Sequence, residues 1–420
     1  MQPPYHLSPI TYHLTMPSIE ILAPAGDMTC LQAALDAGAD AVYLGLSDFN
    51  MRQMATRNFT LETLPEAAKR CHAKNVKLYV TFNSIIYESE RETVRDRLRA
   101  IQPYADAVIA ADWSVIAACR EFGIPFHVST QMSCSNSDAA RFLAEQGAER
   151  IVLARECTLD EVAQIAATVP VEIETFVHGA ICVAVSGRCF LSHEAYGRSA
   201  SRGECLQPCR RRYRVQEVQD GENSSAEFDV EPHTILSARD LCSLPFVDQL
   251  MDAGIRSFKI EGRARNAEYV KAVVSAYKEA VHAVNNGSFT QVLIDTLVAR
   301  CATVYHREFG VGLYHGRPGK EQMAGGDENQ ATHKKRHVGI VMHYYPKAGV
   351  AQVMIQDNPI EPGDAVSIQG PTTGVIDLTI QSLRHNETII TRAERGNWAT
   401  FPCPELVRTN DKVFIVEPVD

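Results

Sequence analysis

The chain has 420 residues, of which 45% are hydrophobic and 22% charged, and its net charge at pH 7 is -10. This length predicts two or three domains with room for a large core. No apolar run approaches the roughly 18 residues that a membrane span needs. The acidic balance argues against indiscriminate nucleic-acid binding, although it allows local basic patches. Residues 1–17 lack the features of a secretory signal, so we expect a flexible tail there and a cytoplasmic protein.

Eight short apolar runs are predicted as β-strands, and amphipathic segments of helical period lie between and after them. The predicted strands are residues 19–25, 41–46, 77–83, 107–112, 126–131, 150–156, 171–179 and 257–263. Eight such units over about 270 residues have the size and rhythm of a (β/α)₈ barrel, which we place at residues 18–290. A doubly wound open sheet is the alternative. The count of eight and the lack of a GxGxxG turn after the first strand favour the barrel.

The connection after the seventh strand interrupts this rhythm. Residues 180–242 form a cysteine-rich loop without a clean helical period. In a barrel, this loop would leave the carboxyl face, where active sites lie. Beyond the barrel, residues 291–335 are predicted to form a helix and a polar linker. Residues 336–420 alternate short strand patterns with turns, which predicts a small C-terminal β-barrel domain.

Four cysteines of the loop are clustered. They are Cys182, Cys189, Cys205 and Cys209. The first two form a Cys-x₆-Cys pair and the last two a Cys-x₃-Cys pair, with fifteen residues between the pairs. In a protein without an export signal, clustered thiols are more often metal ligands or catalytic groups than disulfides. The spacing lacks the CxxC pairs of a zinc ribbon, whereas iron–sulfur clusters accept irregular spacing. Spacing alone leaves an iron–sulfur cluster, a structural zinc ion and unligated thiols as alternatives, with Cys242 as a fifth candidate ligand.

The stretch ETFVHGAICVAVSGRCFLS, residues 174–192, resembles the defining motif of the collagenase-like "unassigned peptidase" family. The stretches APAGD, GADAVYLG, SRGECLQPCR and SFKIEGRAR resemble this family in the expected order, so the similarity spans about residues 19–290. Members of the family include tRNA uridine 5-hydroxylation proteins that use prephenate. Others hydroxylate ribosomal RNA or serve oxygen-independent ubiquinone synthesis, and the ubiquinone-type members carry a [4Fe–4S] cluster on four cysteines.

The resemblance implies that Cys182, Cys189 and Cys205 hold a [4Fe–4S] cluster. The fourth ligand differs among family members, since some have a thiol at the position of Cys209 and others have one near Cys242. This chain has both. The i, i+4 spacing of Cys205 and Cys209 favours Cys209.

Alternation along the last two predicted barrel strands indicates which side chains face the interior. On the eighth strand, Lys259, Glu261 and Arg263 share one face, and on the seventh strand Glu174 and His178 share one face. A structural ion-pair network is one explanation for these charges, because unpaired charges are costly to bury. A functional site is the other explanation. In that case Glu174, His178 and Glu261 are the acid–base candidates.

A dicarboxylate such as prephenate needs cationic partners, and arginine binds carboxylates through a planar fork of donors. We therefore predict that Arg155 and Arg263 bind this co-substrate, with Lys259 as support. Gln131, at the end of the fifth predicted strand, completes the polar mouth of the barrel.

Two basic runs are candidates for binding RNA. Arg210, Arg211 and Arg212 belong to RRRYR beside the thiols, and Lys334 and Lys335 belong to HKKRH. A wobble uridine lies in a single-stranded loop, where it can leave the stack and pack on an aromatic ring. Solvated charged turns are the alternative interpretation of both runs.

The sequence hypothesis is therefore a tRNA-modifying enzyme that hydroxylates wobble uridine at C5 without oxygen, with prephenate as hydroxyl donor. Its expected partners are tRNA, prephenate and a second protein of the same family, since some relatives work in pairs. A collagenase-like peptidase is an alternative, but the chain has no HExxH or GxSxG motif. A ubiquinone-pathway hydroxylation component would need neither the C-terminal domain nor the basic runs. A zinc-stabilised RNA-binding protein is the last alternative.

Overall fold

The computed structural model describes residues 19–54, 57–213, 236–316, 323–325, 329–386 and 388–419, together with the backbone of two short strands at 215–217 and 226–228. The predicted N-terminal tail, residues 1–17, lies outside the described residues. No helix in the described part of the chain is both long and apolar enough to cross a membrane.

Eight parallel strands, β1 to β7 and β11, close into a barrel. In chain order, the strands up to residue 310 are β1 (Glu20–Pro24), β2 (Ala41–Gly45), β3 (Lys77–Phe82), β4 (Ala107–Ala110), β5 (Phe126–Val128), β6 (Arg150–Val152), β7 (Glu172–Gly179), β8 (Val215–Glu217), β9 (Ala226–Phe228), β10 (Asp240–Cys242), β11 (Ser257–Ile260) and β12 (Phe309–Gly310). Strands β1 to β7 pair in sequence, and β11 pairs in parallel with both β7 and β1. The predicted (β/α)₈ barrel is confirmed, because an open sheet would leave two edges unpaired.

Helices cover the outside of this barrel. They are α1 (Met28–Asp36), α2 (Leu64–Ala73), α3 (Arg91–Ile101), α4 (Trp113–Phe122), α5 (Ser137–Glu145), α6 (Leu159–Thr168), α7 (Leu191–Tyr196), α8 (Val247–Asp252), α9 (Ala267–Asn286) and α10 (Gln291–Ala302). Several begin at side-chain caps, since Asp27 accepts from the Cys30 amide of α1 at 2.9 Å and Thr158 accepts from the Glu161 amide of α6 at 3.3 Å. The apolar faces of the helices and the outward residues of the strands form one large core.

The cysteine-rich segment between β7 and β11 ends in a strand that the sequence did not indicate. Strand β10 pairs antiparallel with the end of β7, with Cys242 opposite His178, and its other edge pairs with β12. The loop is therefore fastened to the barrel at both of its ends.

The C-terminal domain is an eight-stranded antiparallel sheet with its own apolar core. Its strands are β13 (His333–Tyr345), β14 (Val350–Ile355), β15 (Ala365–Gly370), β16 (Gly374–Thr379), β17 (Leu383–His385), β18 (Thr388–Ile390), β19 (Trp398–Pro402) and β20 (Lys412–Pro418). The predicted separate β domain is confirmed, and its first strand begins at His333. It packs on the outside of the barrel, where Lys271 of α9 donates to Asp377 of β16 at 2.8 Å.

Candidate active site

A cavity of about 150 Å³ lies at the carboxyl end of the barrel strands. The chain segments that follow β3, β5, β6 and β11 form one part of its lining, and the cysteine-rich segment forms the other. The four clustered thiols and several charged side chains therefore face the same space.

The thiols of Cys182, Cys189, Cys205 and Cys209 all line this cavity. None of the four forms a disulfide. Burial raises the pKa of Cys209, and the other three thiols are close enough to raise it further, while Arg210 lowers it. Within the described residues, no three His, Cys, Asp or Glu side chains already have a metal-binding arrangement. The structure thus brings the four predicted ligands into one pocket without setting a coordination geometry.

Cys242 occupies a different environment. It lies on β10, is 4% exposed and does not line the cavity. Burial raises the pKa of its thiol to about 12. Of the two candidates for a fourth ligand, only Cys209 shares the cavity with the other three thiols.

Residues 180–213, which carry the four clustered cysteines, are called the thiol segment below. Close backbone packing fixes where this segment leaves the barrel. Gly179 ends β7 with a φ of +102°, and a Cβ there would lie 2.6 Å from the carbonyl oxygen of Glu261. This position of the motif requires glycine because both the conformation and the space exclude a side chain. Arg210 holds the other end of the segment, since it donates to the Ala238 carbonyl at 2.6 Å and to Ser237 Oγ at 3.1 Å.

Four cations line the barrel side of the cavity: Arg52, Arg155, Lys259 and Arg263. Arg155 lies 3.9 Å over the Phe176 ring and donates to the Ala180 carbonyl at 2.8 Å. Arg263 donates to Thr81 Oγ1 at 2.8 Å, and burial lowers its pKa to about 10. This concentration of positive charge in an acidic chain suits an anionic ligand.

Glu261 is the one carboxylate among the described residues that line the cavity. Burial acts to raise its pKa, but Arg52, Arg265 and Arg155 together hold the pKa below its ordinary value. Its Oε1 lies 3.4 Å from the Arg52 guanidinium. Glu261 is therefore ionised at neutral pH.

Gln131 also lines the cavity, as predicted, and its Oε1 accepts from Ser129 Oγ and, at 3.4 Å, from Asn83 Nδ2. Arg52 and Asn83 were not identified from the sequence. Asn83 is the last residue of a predicted strand and Arg52 lies in the segment after another. The carboxyl ends of the strands are where a barrel places its site, and this position was the available signal.

Glu174 is not at the cavity, in contrast to the prediction. It is fully buried nearer the amino ends of the strands, where it accepts from Lys259 Nζ at 2.8 Å and pairs with Arg150 at 3.2 Å. Its neighbours Glu20 and Ser257 complete the network. For Glu174, the structure supports the ion-pair alternative over an acid–base position.

His178 is also absent from the cavity lining. The prediction that it shares a face with Glu174 is wrong, because a β-bulge lies between the two residues. The register between β7 and β11 shifts so that Lys259 is opposite Phe176 but Ile260 is opposite His178. This extra residue turns the imidazole toward Tyr277, whose hydroxyl lies 3.3 Å from Nδ1. Burial lowers the pKa of His178 to about 3, so the ring is neutral.

The predicted RNA-binding residues fall into two groups. Arg211 and Arg212 form the exposed group, and Arg211 lies 5.0 Å from the Tyr196 ring centroid. The other group already has partners within the protein. Arg210 donates to Ser237 and Ala238. The lysines of β13 are already ion-paired. Lys334 lies 3.3 Å from Glu417, and Lys335 lies 2.6 Å from Glu268 of α9.

Residues 26–324 match the model of Peptidase family U32. The chain belongs to this family. This confirms the family resemblance seen in the cysteine motif, and the matched residues include the cysteine-bearing segment.

Relatives of this U32 chain carry names of two kinds. A protein of Porphyromonas gingivalis strain W83 named "Collagenase" is 40% identical over 408 residues, covering 94% of this chain and 97% of that protein. The tRNA hydroxylation protein P1 of Bacillus subtilis is 33% identical and covers 87% of this chain and 86% of its own length. The 23S rRNA 5-hydroxycytidine C2501 synthase of Escherichia coli is 37% identical over 63% of this chain and 40% of that protein.

Proposed function

We propose that this U32 protein is an RNA-hydroxylating enzyme that converts wobble uridine of tRNA to 5-hydroxyuridine, with prephenate as hydroxyl donor and a [4Fe–4S] cluster as cofactor. The observation that carries the proposal is the composition of the cavity, where four thiols share a lining with two buried and two half-buried cations at the carboxyl end of the barrel. The names of two relatives, which describe hydroxylation of tRNA and of ribosomal RNA, agree with it.

The cations supply what a dicarboxylate co-substrate requires. Arg155 and Arg263 both line the cavity, where their guanidinium groups can form charge-assisted hydrogen bonds with carboxylates. Lys259 adds a third charge on the floor of the site. Glu261 pairs with Arg52 at 3.4 Å, and its carboxylate is close enough to Arg155 for the two charges to attract each other. It is also the group we assign to accept the proton that uridine C5 must release.

The four thiols support the proposed cluster. They lie within residues 182–209 and share one cavity, and Cys209 is close enough to the other three for them to raise the pKa of its thiol. A cubane cluster takes four cysteine ligands, and it would supply a redox-active or Lewis-acidic centre beside the bound anion. Arg52 and Arg210 lie close enough to Cys205 and Cys209, respectively, to balance the negative charge of thiolates.

Proteolysis receives less support from the same geometry. A cysteine nucleophile needs a base, usually histidine, within hydrogen-bond reach. Among the described residues, no histidine lines the cavity. The motif's own His178 is neutral and lies on the far side of β7, against α9.

Deleting the gene should remove 5-hydroxyuridine and its derivatives from tRNA, and the intact gene should restore them, while Cys182→Ala should not. The measurement is nucleoside mass spectrometry of purified tRNA, with unmodified uridine content as reference. A strain that lacks every paralogue and still contains normal 5-hydroxyuridine would contradict the proposal and would favour the ubiquinone alternative.

Arg155→Gln should weaken prephenate binding by roughly 10- to 100-fold, because it removes one charged hydrogen-bonding partner of a carboxylate. Isothermal titration of purified protein measures this affinity directly. Arg141→Gln is the matched control, since Arg141 lies exposed on α5 and pairs with Asp138 at 2.9 Å. Equal affinities for both variants would exclude Arg155 from the co-substrate site.

A further inference from the structure

Exposed apolar side chains concentrate around the mouth of the cavity. Of the fifteen large hydrophobic residues that are exposed in the described part, seven lie on the thiol segment or against it: Met54, Ile85, Tyr87, Val185, Phe190, Tyr196 and Leu206. The backbone amide of Met54 donates to the Gly203 carbonyl at 3.4 Å, and that of Ile85 donates to the Ser201 carbonyl at 3.3 Å. These contacts place the loops after β2 and β3 beside the thiol segment. Exposed apolar side chains gathered in one region mark a candidate interaction site.

Phe190 is the most prominent member of this surface. Its side chain is 76% exposed, which exceeds that of every other aromatic residue in the described part. Its two chain neighbours, Cys189 and Leu191, both line the cavity. Phe190 itself is not part of the lining, so its ring lies outside the cavity next to two lining residues, with its surface available to a ligand.

The charge of this segment indicates which ligand. Residues 180–213 contain six arginines and two glutamates, in a chain whose net charge is -10. Arg211 and Arg212 are exposed there. Arginines interleaved with exposed aromatic rings are typical of surfaces that bind single-stranded nucleic acid, because the cations bind phosphates while the rings stack on bases. A protein partner seated on the same surface would also cover the opening through which a base must enter.

We infer that Phe190 is the stacking platform for the nucleotide loop that delivers a base to the cavity. The inference rests on the proposed RNA function and deepens it, because it assigns a base-contacting residue that acts through its π face. Stacking tolerates any base. Phe190 would thus hold the extruded loop at the mouth, while the cavity itself recognises the base.

The test is equilibrium binding of a labelled anticodon stem-loop RNA to the full chain, measured by fluorescence anisotropy. A second RNA lacks one loop base, so that the site of stacking is removed from the ligand. The Phe190→Ala variant should bind the intact RNA about tenfold more weakly than the wild-type protein does. The Phe190→Trp variant should retain binding. The abasic RNA should bind the wild-type protein more weakly than the intact RNA does. Its affinity should fall little further with Phe190→Ala, because the missing base and the missing ring are the two sides of one contact.

Phe142→Ala is the matched control, because Phe142 is 51% exposed on α5 and lies away from the cavity lining. If Phe190→Ala binds intact RNA as tightly as this control does, the inference is overturned while the proposed function stands. A change in self-association of Phe190→Ala without a change in RNA binding would overturn it too, and would assign the surface to a protein contact. An unmodified protein that binds no RNA would overturn both.

Discussion

Replacing any one of Cys182, Cys189, Cys205 and Cys209 by alanine is expected to remove most protein-bound iron and to abolish 5-hydroxyuridine formation. Each thiol lines the same cavity, and a cubane cluster that loses one of four ligands is opened to solvent and exchange. The loss should exceed the roughly 10- to 100-fold that removal of an outer-shell partner causes at metal sites. Iron and acid-labile sulfide per chain, measured after anaerobic purification, report it together with tRNA nucleoside analysis.

Cys242→Ala is expected to keep both the iron and the activity, because this thiol is buried on β10 outside the cavity lining. Cys119→Ala controls for the loss of a buried thiol in a helix. Iron retained by Cys209→Ala but lost from Cys242→Ala would reverse the assignment of the fourth ligand. If the wild-type protein contains zinc in place of iron, the structural-zinc alternative is favoured.

The barrel could be predicted from the sequence because its strands are buried on both faces and read as continuous apolar runs. Strand β2, AVYLG, is buried at every position. The location of the site followed from the same rule, since the segments after the strands converge at one end. Gln131, Arg155 and Arg263 were found in this way, and each of them lines the cavity.

The direction of a side chain near a strand end could not be predicted, because it depends on pairing with a distant strand. The bulge opposite β11 reverses His178, and nothing within β7 indicates that shift. The basic run of β13 shows the same limit. Lys335 finds its partner Glu268 on α9, across the contact between the two domains. Sequence analysis identifies charge, but tertiary contacts decide whether the charge is available.

Glu174→Ala is expected to lower the free energy of unfolding by about 3 to 5 kcal/mol, because it leaves Arg150 and Lys259 buried without their shared carboxylate. Urea denaturation followed by circular dichroism measures this change. Glu172→Ala is the matched control. Glu172 also pairs with Arg150, at 2.6 Å, but its side chain is 54% exposed, so its loss should cost less than about 1 kcal/mol.

A second substitution separates a structural role of Glu174 from a catalytic one. Adding Lys259→Met to Glu174→Ala removes the cation that the first change leaves unpaired, so part of the lost stability should return. The double variant should nevertheless have low activity, since Lys259 also lines the cavity that we assign to the co-substrate. If Glu174→Gln instead keeps full stability and loses turnover, Glu174 acts in the chemistry through Lys259. The network beneath the cavity would then set the charge of the site as well as support the barrel.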